Sequence, residues 1–278
     1  MVEAPSQAHR RRRGVLDVTG QPGFRTIASI CIGILYAPLV VLVLLSFNTS
    51  DLLTQFDGLS LQWYRLALAN RDFYEAAKNT LIVATATTAA TVLATAAALG
   101  MTRALRAWRG QTAAYTVINL PLMVPEIVVA IATLAFFSVL SSSLGISFGF
   151  GNLILTHTVF CIPVAYMPIR ARLAGMDTSL DQAAADLYAT PWHAFRRVTL
   201  PLLAPGIIAG AALAFIISFD NFTISQFVAG PGQSTLPLYI WGMIRKPITP
   251  EVNAMCSLLL AISILFIFAS SLISRRRN

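Results

Sequence analysis

Two carboxylates stand inside otherwise apolar runs of this chain, Glu126 directly after Pro125 and Asp220 directly before Asn221. An acid at the centre of a membrane-spanning helix costs roughly 2.5–3.5 kcal/mol, so such groups usually face a protein interior or water. Their chemistry there is electrostatic. A carboxylate replaces part of the hydration shell of a cation moving past it. Pro125 removes an N–H and frees a carbonyl, which bends a helix at the same point. Glu126 therefore has two readings, a wall of a cation path or a structural group bonded to a neighbouring helix. Asp220, with Asn221 beside it, is a candidate gate residue near one end of its run. Tyr239 and Trp241 could stack on an amine cation. They equally suit the aromatic belt at a membrane interface.

Nothing else in the chain forms a reactive set. His157 is isolated in an apolar run and His193 in a polar one, and the three cysteines, Cys31, Cys161 and Cys256, lack C-x-x-C spacing. Neither a metal site nor a disulfide framework is indicated. No nucleophile and base converge, which argues against an enzyme. The phosphate-binding pattern G-x-x-x-x-G-K-[ST] is absent, so the chain itself has no site for hydrolysing ATP.

The elements that must position these residues are apolar. Of 278 residues, 56% are hydrophobic and 12% charged, with a mean hydropathy of +0.70. A soluble domain carries about 25% charged residues. Long charge-poor runs recur along the whole length, which describes a polytopic, all-α membrane protein. The net charge of +8 comes from short basic clusters beside the apolar runs. That is the pattern of membrane topology rather than of nucleic-acid binding. Six spans are expected, at residues 26–47, 80–101, 113–140, 152–169, 202–227 and 252–273. Each approaches the ~20 residues needed to cross the hydrocarbon core. Placing Arg10, Arg11, Arg12, Arg13, Arg25, Arg103, Arg106, Arg109, Arg170, Arg172, Arg196, Arg197, Arg275, Arg276 and Arg277 on one side leaves Arg65, Arg71, Lys78, Arg245 and Lys246 on the other, fifteen against five. By the positive-inside rule both termini then face the cytoplasm. The chain divides into a basic tail (1–25), one six-helix domain (26–274) and a short tail (275–278).

Two loops exceed the usual connection length. Residues 48–79, on the external side, carry Trp63, Tyr64, Phe73 and Tyr74 and suit a short interfacial helix. The other, residues 177–200, is cytoplasmic. Ser179-x-x-Gln182 is a capping-box pattern, and Ala183, Ala184, Ala185 and Leu187 are good helix formers. Thr190-Pro191 is a second start signal. Trp192, Phe195 and Val198, three apart, form one apolar face. Arg196 and Arg197 stand where cations oppose a helix dipole, and Pro201 and Pro205 are expected to stop the segment before span five. On spacing alone this is either a partner-docking surface or an amphipathic loop on lipid headgroups.

The loop resembles the signature of permease subunits of ABC importers, Glu-Ala-Ala-x3-Gly followed by Ile-x-Leu-Pro. Gln182, Ala183 and Ala184 stand at the Glu-Ala-Ala positions, Asp186 and Leu187 match residues that commonly follow, and Val198, Leu200 and Pro201 match the ending. Two positions depart. Gln182 keeps an amide but not the charge, and Tyr188 replaces the glycine, where a Cβ strains a left-handed turn. A second stretch narrows the likeness: Ser218-Phe219-Asp220-Asn221-Phe222, then Phe227-Val228-Ala229-Gly230-Pro231-Gly232 and Thr235-Leu236-Pro237-Leu238-Tyr239-Ile240. It resembles the second permease subunit of spermidine/putrescine importers. Neighbouring branches import opines, aminoethylphosphonate or other small organic ions.

The resemblance implies a type I ABC importer permease fold with a cytoplasmic coupling-helix (EAA) loop, in a bacterial inner membrane. It implies docking of an ABC ATPase dimer on Asp181, Gln182, Ala183, Ala184, Asp186, Leu187, Tyr188, Trp192, Phe195 and Arg196. ATP-Mg would sit on that ATPase, with no cofactor on this chain. A second permease subunit and a periplasmic substrate-binding protein complete the implied assembly. A secondary transporter working alone would instead need internal symmetry and matching broken helices. No such repeat is visible.

Overall fold

The computed structural model describes residues 23–51, 55–102, 110–177, 179–245 and 249–275, with side chains to 269. Arg10, Arg11, Arg12, Arg13, Arg103, Arg106, Arg109, Lys246, Arg276 and Arg277 lie outside the described residues, as does most of the tail 1–25. Among the described residues, six helices are long and apolar enough to cross a membrane.

They are α1 (Phe24–Leu45), a pair α3 (Arg71–Thr87) and α4 (Ala90–Thr102), α6 (Glu126–Leu144), α7 (Phe150–Ala174), α10 (Leu200–Phe219) and α13 (Pro250–Arg275). Shorter helices join them: α2 (Gln62–Ala69), α5 (Gln111–Met123), α8 (Ser179–Asp186), α9 (Pro191–Ala194), α11 (Thr223–Val228) and α12 (Leu236–Ile244). The centre is α7, flanked by α4 and α10. Ala90, Ala94 and Ala98 of α4 meet Cys161, Ala165 and Ile169 of α7 and Leu203 and Ala214 of α10. Small residues let these backbones approach closely, which is the main source of helix association in lipid. Gly206 and Gly210 make the closest approach, since a Cβ at Gly210 would lie 2.8 Å from the Ala165 carbonyl oxygen. α1 has no buried residue and lies against α13.

The irregularities differ from the expected spans in four places, each with a local cause. Span two starts nine residues early, at Arg71 rather than 80, because the Asn70 side chain accepts from Asp72 N and Phe73 N and caps the helix. It then kinks at Thr88 and Ala89, where the Thr88 and Thr91 hydroxyls donate to carbonyls three residues back. Span three is not one helix. Val124 is extended (φ −90°, ψ 138°) before Pro125, so α5 ends and α6 begins at Glu126. The loop segment does not stop at Pro201 before span five. α9 continues through a wide turn, Phe195–Thr199, into α10, with Leu200 N donating to Phe195 O. That extra residue per turn makes room for prolines that lack the N–H of a normal helix. Finally α10 ends at Phe219, and the chain restarts as α11 after Asp220 and Asn221.

Candidate functional site

The breaks in spans three and five meet. Asn221 Nδ2 donates to Glu126 Oε1, while Asn221 Oδ1 accepts from Ile224 N at 2.8 Å. The second bond fixes which way the amide faces, because an N–H needs the oxygen. Glu126 is the first residue of α6, where the exposed N–H groups and the helix dipole favour a negative charge. It is half-buried, and Asn221 is buried. Asp220 precedes Asn221 and is exposed. Phe222 packs its ring 5.1 Å from that of Trp241, which brings one predicted aromatic to this neighbourhood. Tyr239 instead packs against Phe73 at 6.3 Å, with the cluster formed by α2, α3, α12 and α13.

Behind Asn221 runs a chain of buried polar groups that sequence reasoning did not assemble. Ser225 Oγ donates to Asn221 O at 3.0 Å and lies 3.3 Å from His157 Nε2. His157 Nδ1 is 2.9 Å from Ser218 Oγ, and the Ser218 and Thr87 hydroxyls are 3.2 Å apart. Thr87 sits at the kink of span two. The chain therefore ties together the irregular points of three spans and the unbroken α7. The threonine run at 85, 87, 88 and 91 was the available signal for it.

The long loop is the second site. Asp177 accepts from Ser179 N at 2.9 Å, so the cap of α8 is Asp177 rather than the expected Ser179. Hydrogen bonds from Ser179 hold the Asp177 carboxyl below the usual carboxylate range. Thr190 caps α9 as expected, accepting from His193 N. Thr199 Oγ1 donates to Asp181 Oδ1 at 3.5 Å and closes α8 onto the wide turn. Ala184 is buried in the resulting corner, and Asp181 and Phe195 are half-buried. Gln182, Ala183, Asp186, Leu187, Tyr188, Trp192 and Arg196 are exposed. A cleft of about 680 Å³ runs between Leu180, Ala184, Leu187, His193 and Val198. Arg172 Nε donates to Leu202 O at 2.9 Å and fastens the end of α7 to the start of α10 beneath the loop.

Tyr188 adopts the left-handed backbone that its side chain disfavours, with φ 55°. Tyr188 N donates to Ala185 O at 2.9 Å and Ala189 N to Ala184 O at 3.0 Å. Those two bonds are the Schellman ending of a helix, which ordinarily places glycine at this position. The turn is therefore kept without its usual residue, and the side chain is 96% exposed. A left-handed L-residue costs roughly 1–2 kcal/mol. Tyr188→Gly is expected to slow amide exchange at 188 and 189 about fivefold, the equivalent of ~1 kcal/mol. Exchange measured on the purified chain checks it, and unchanged or faster exchange would show that the turn carries no strain.

Among the described residues no group of three His, Cys, Asp or Glu side chains is placed to hold a metal ion. Residues 90–278 match the family described as binding-protein-dependent transport system inner membrane component. The chain is 35% identical over 245 residues to the spermidine/putrescine transport system permease protein PotC of Escherichia coli K12, covering 88% of this chain and 90% of that one. It is 38% identical to the putrescine transport system permease protein PotI of the same strain, covering 87% of each. Its fold matches a chain of a bacterial ABC transporter involved in alginate import, with a TM-score of 0.71 at 16% identity over 91% of this chain and 94% of that one. The six spans, the fold and the sequence agree, and this chain belongs to the binding-protein-dependent inner membrane component family as a permease subunit of an ABC importer.

Proposed function

We infer that this permease moves polyamines, spermidine and putrescine among them, from the periplasm to the cytoplasm of a bacterial inner membrane. The names of PotC and PotI support the substrate class. The observation that carries it in this chain is the Glu126–Asn221 pair at the break of span three, with the Asp220 carboxylate one residue away. A polyamine is a chain of ammonium groups, and negative charges at a broken helix substitute for the water it leaves behind. The half-buried Glu126 and the exposed Asp220 form successive points on such a path, and Trp241 offers an aromatic face.

The rest of the assembly follows the same reading. A periplasmic binding protein delivers substrate to the external loops, and a second permease subunit forms the other half of the path. An ABC ATPase dimer, carrying ATP-Mg, docks on the loop 177–200. Both termini are cytoplasmic. Because α9 and α10 form one continuous helix and Arg172 joins α7 to α10, movement of the loop passes directly into spans four and five. That coupling switches the path between its outward- and inward-facing states.

Uptake of labelled spermidine and putrescine at low concentration, in cells lacking only this chain and in cells with it restored, tests the reading. Loss and recovery are expected. Unchanged uptake would redirect the search to opines, phosphonates and other organic ions. In the restored cells, Glu126→Gln is expected to lower spermidine uptake about tenfold while the protein still assembles. That corresponds to one charge-assisted hydrogen bond of ~1.5 kcal/mol. Normal uptake kinetics would make Glu126 a structural residue.

A further inference from the structure

We propose that the cleft between α4, α5 and α7 is a binding site for the phosphate group of an anionic phospholipid. This site is independent of what the permease transports. A cavity of about 380 Å³ opens between the end of α4 and the start of α5, and Tyr166 and Arg170 of α7 line it as well. Gln111 Nε2 donates to Met101 O at 2.7 Å and ties the two walls together. Arg170 stands four residues before Ala174, the last residue of α7, which is about 6 Å of rise from the end of that span. The headgroup layer of a bilayer is about 5–7 Å thick on each side. Lipid phosphates therefore lie at a depth that this side chain reaches.

Arg170 carries a charge without a counter-charge. Among the described residues no carboxylate lies within ion-pair distance of it. Its guanidinium carbon sits 4.7 Å from the centre of the Tyr115 ring. A ring against the face of a guanidinium leaves the N–H donors at its edge, in the fork that fits two phosphate oxygens. Tyr166 is fully buried, and its hydroxyl donates to Met101 Sδ at 3.6 Å, a weak acceptor. An anionic oxygen in the cavity would take that hydrogen in preference. Gln111 and Thr112 begin α5, whose first turn has no side-chain cap, so its N–H groups still need an acceptor. The connection 103–109 lies outside the described residues. In sequence it carries Arg103, Arg106 and Arg109 and no acid. Such a collection of cations repels a polyamine, which separates this cavity from the substrate path. An arginine at the edge of the hydrocarbon is costly without a partner. Basic clefts between spans at a membrane surface are where anionic headgroups are held.

The test is native mass spectrometry of the complete transporter released from nanodiscs of equal phosphatidylglycerol and phosphatidylcholine. Retained phosphatidylglycerol is expected to be enriched about fivefold more in the parent than in Arg170→Gln, the effect of one arginine near the surface. Arg170 is exposed, so its replacement removes no buried contact. Arg25→Gln removes the same charge at the start of α1, outside the cavity, and should leave the enrichment at the parent's level. Unchanged enrichment in Arg170→Gln, or an equal loss in Arg25→Gln, would overturn the proposal. A second measurement separates a lipid from a free ion. In phosphatidylcholine alone, short-chain phosphatidylglycerol should raise the unfolding temperature of the parent by a few degrees, and inorganic phosphate should not. Equal stabilisation by inorganic phosphate would assign the cavity to the free ion and overturn the lipid. Loss of the ATPase from Arg170→Gln in phosphatidylcholine alone would assign the arginine to a protein carboxylate and overturn it as well.

Discussion

Gly210→Leu is expected to abolish uptake, with loss of the assembled protein in detergent. A Cβ at Gly210 would lie 2.8 Å from Ala165 O, 3.4 Å from Ala165 C and 3.3 Å from Ile169 Cδ1. The first two are backbone atoms of α7 and have no rotamer to yield. Adding one methyl group to a packed core costs about 1–3 kcal/mol, and leucine adds three further carbons at the same point. Helices in lipid have no hydrophobic effect to hold them once close contact is lost. The damage would spread, since α7 and α10 carry the loop at one end and the His157 chain at the other. Gly210→Ala should retain part of the activity, with thermal stability lowered by the methyl cost alone. Gly100→Ala is the control, because nothing lies within 4 Å of a Cβ there. If Gly210→Leu assembles and transports normally, α7 and α10 do not pack as described.

Why the six spans were legible and the site only half so has a physical reason. Hydropathy reports the average over about twenty residues, and all six spans survive that average. Breaks depend on single residues. Pro125 announced the break before Glu126, because proline acts on its own neighbours. The end of α10 at Phe219 had no such marker: what stops it is the side chain of Asn221 bonding to Ile224 N. Pro201 misled for the opposite reason. It signals a stop, but the wide turn at Phe195–Thr199 absorbs the missing N–H, and the helix runs on. Capping followed local rules at Thr190, where Pro191 also set the backbone. At Ser179 the same kind of pattern pointed two residues too late, because Asp177 competes for the same amide. The polar chain from Thr87 to Glu126 was out of reach. Its members come from positions 87, 126, 157, 218, 221 and 225, and no local periodicity links residues that only tertiary packing brings together.

Ala184→Phe should uncouple ATP hydrolysis from transport while leaving an inserted, correctly folded bundle. Ala184 is 7% exposed, in the corner where α8 meets α9 and the wide turn, and its carbonyl accepts Ala189 N in the bend. The neighbouring residues Leu187 and Tyr188 are 81% and 96% exposed, so the side chain that reaches inward is the small one. A phenyl ring cannot enter that corner without opening the Asp181–Thr199 contact or tipping α8 outward. Either change moves the exposed row of Gln182, Ala183, Asp186 and Leu187 relative to α10. The apolar spans lie beyond the loop and keep their packing, because none of their core clusters includes Ala184. Spermidine uptake is therefore expected to fall at least tenfold, a coupling loss of ~1.4 kcal/mol or more. The ATPase activity of the reconstituted complex should persist but lose its response to substrate-loaded binding protein. Membrane abundance and thermal stability of the chain should remain near those of the parent. Coupled transport in this variant would show that the loop 177–200 is not the surface through which ATP hydrolysis drives this permease.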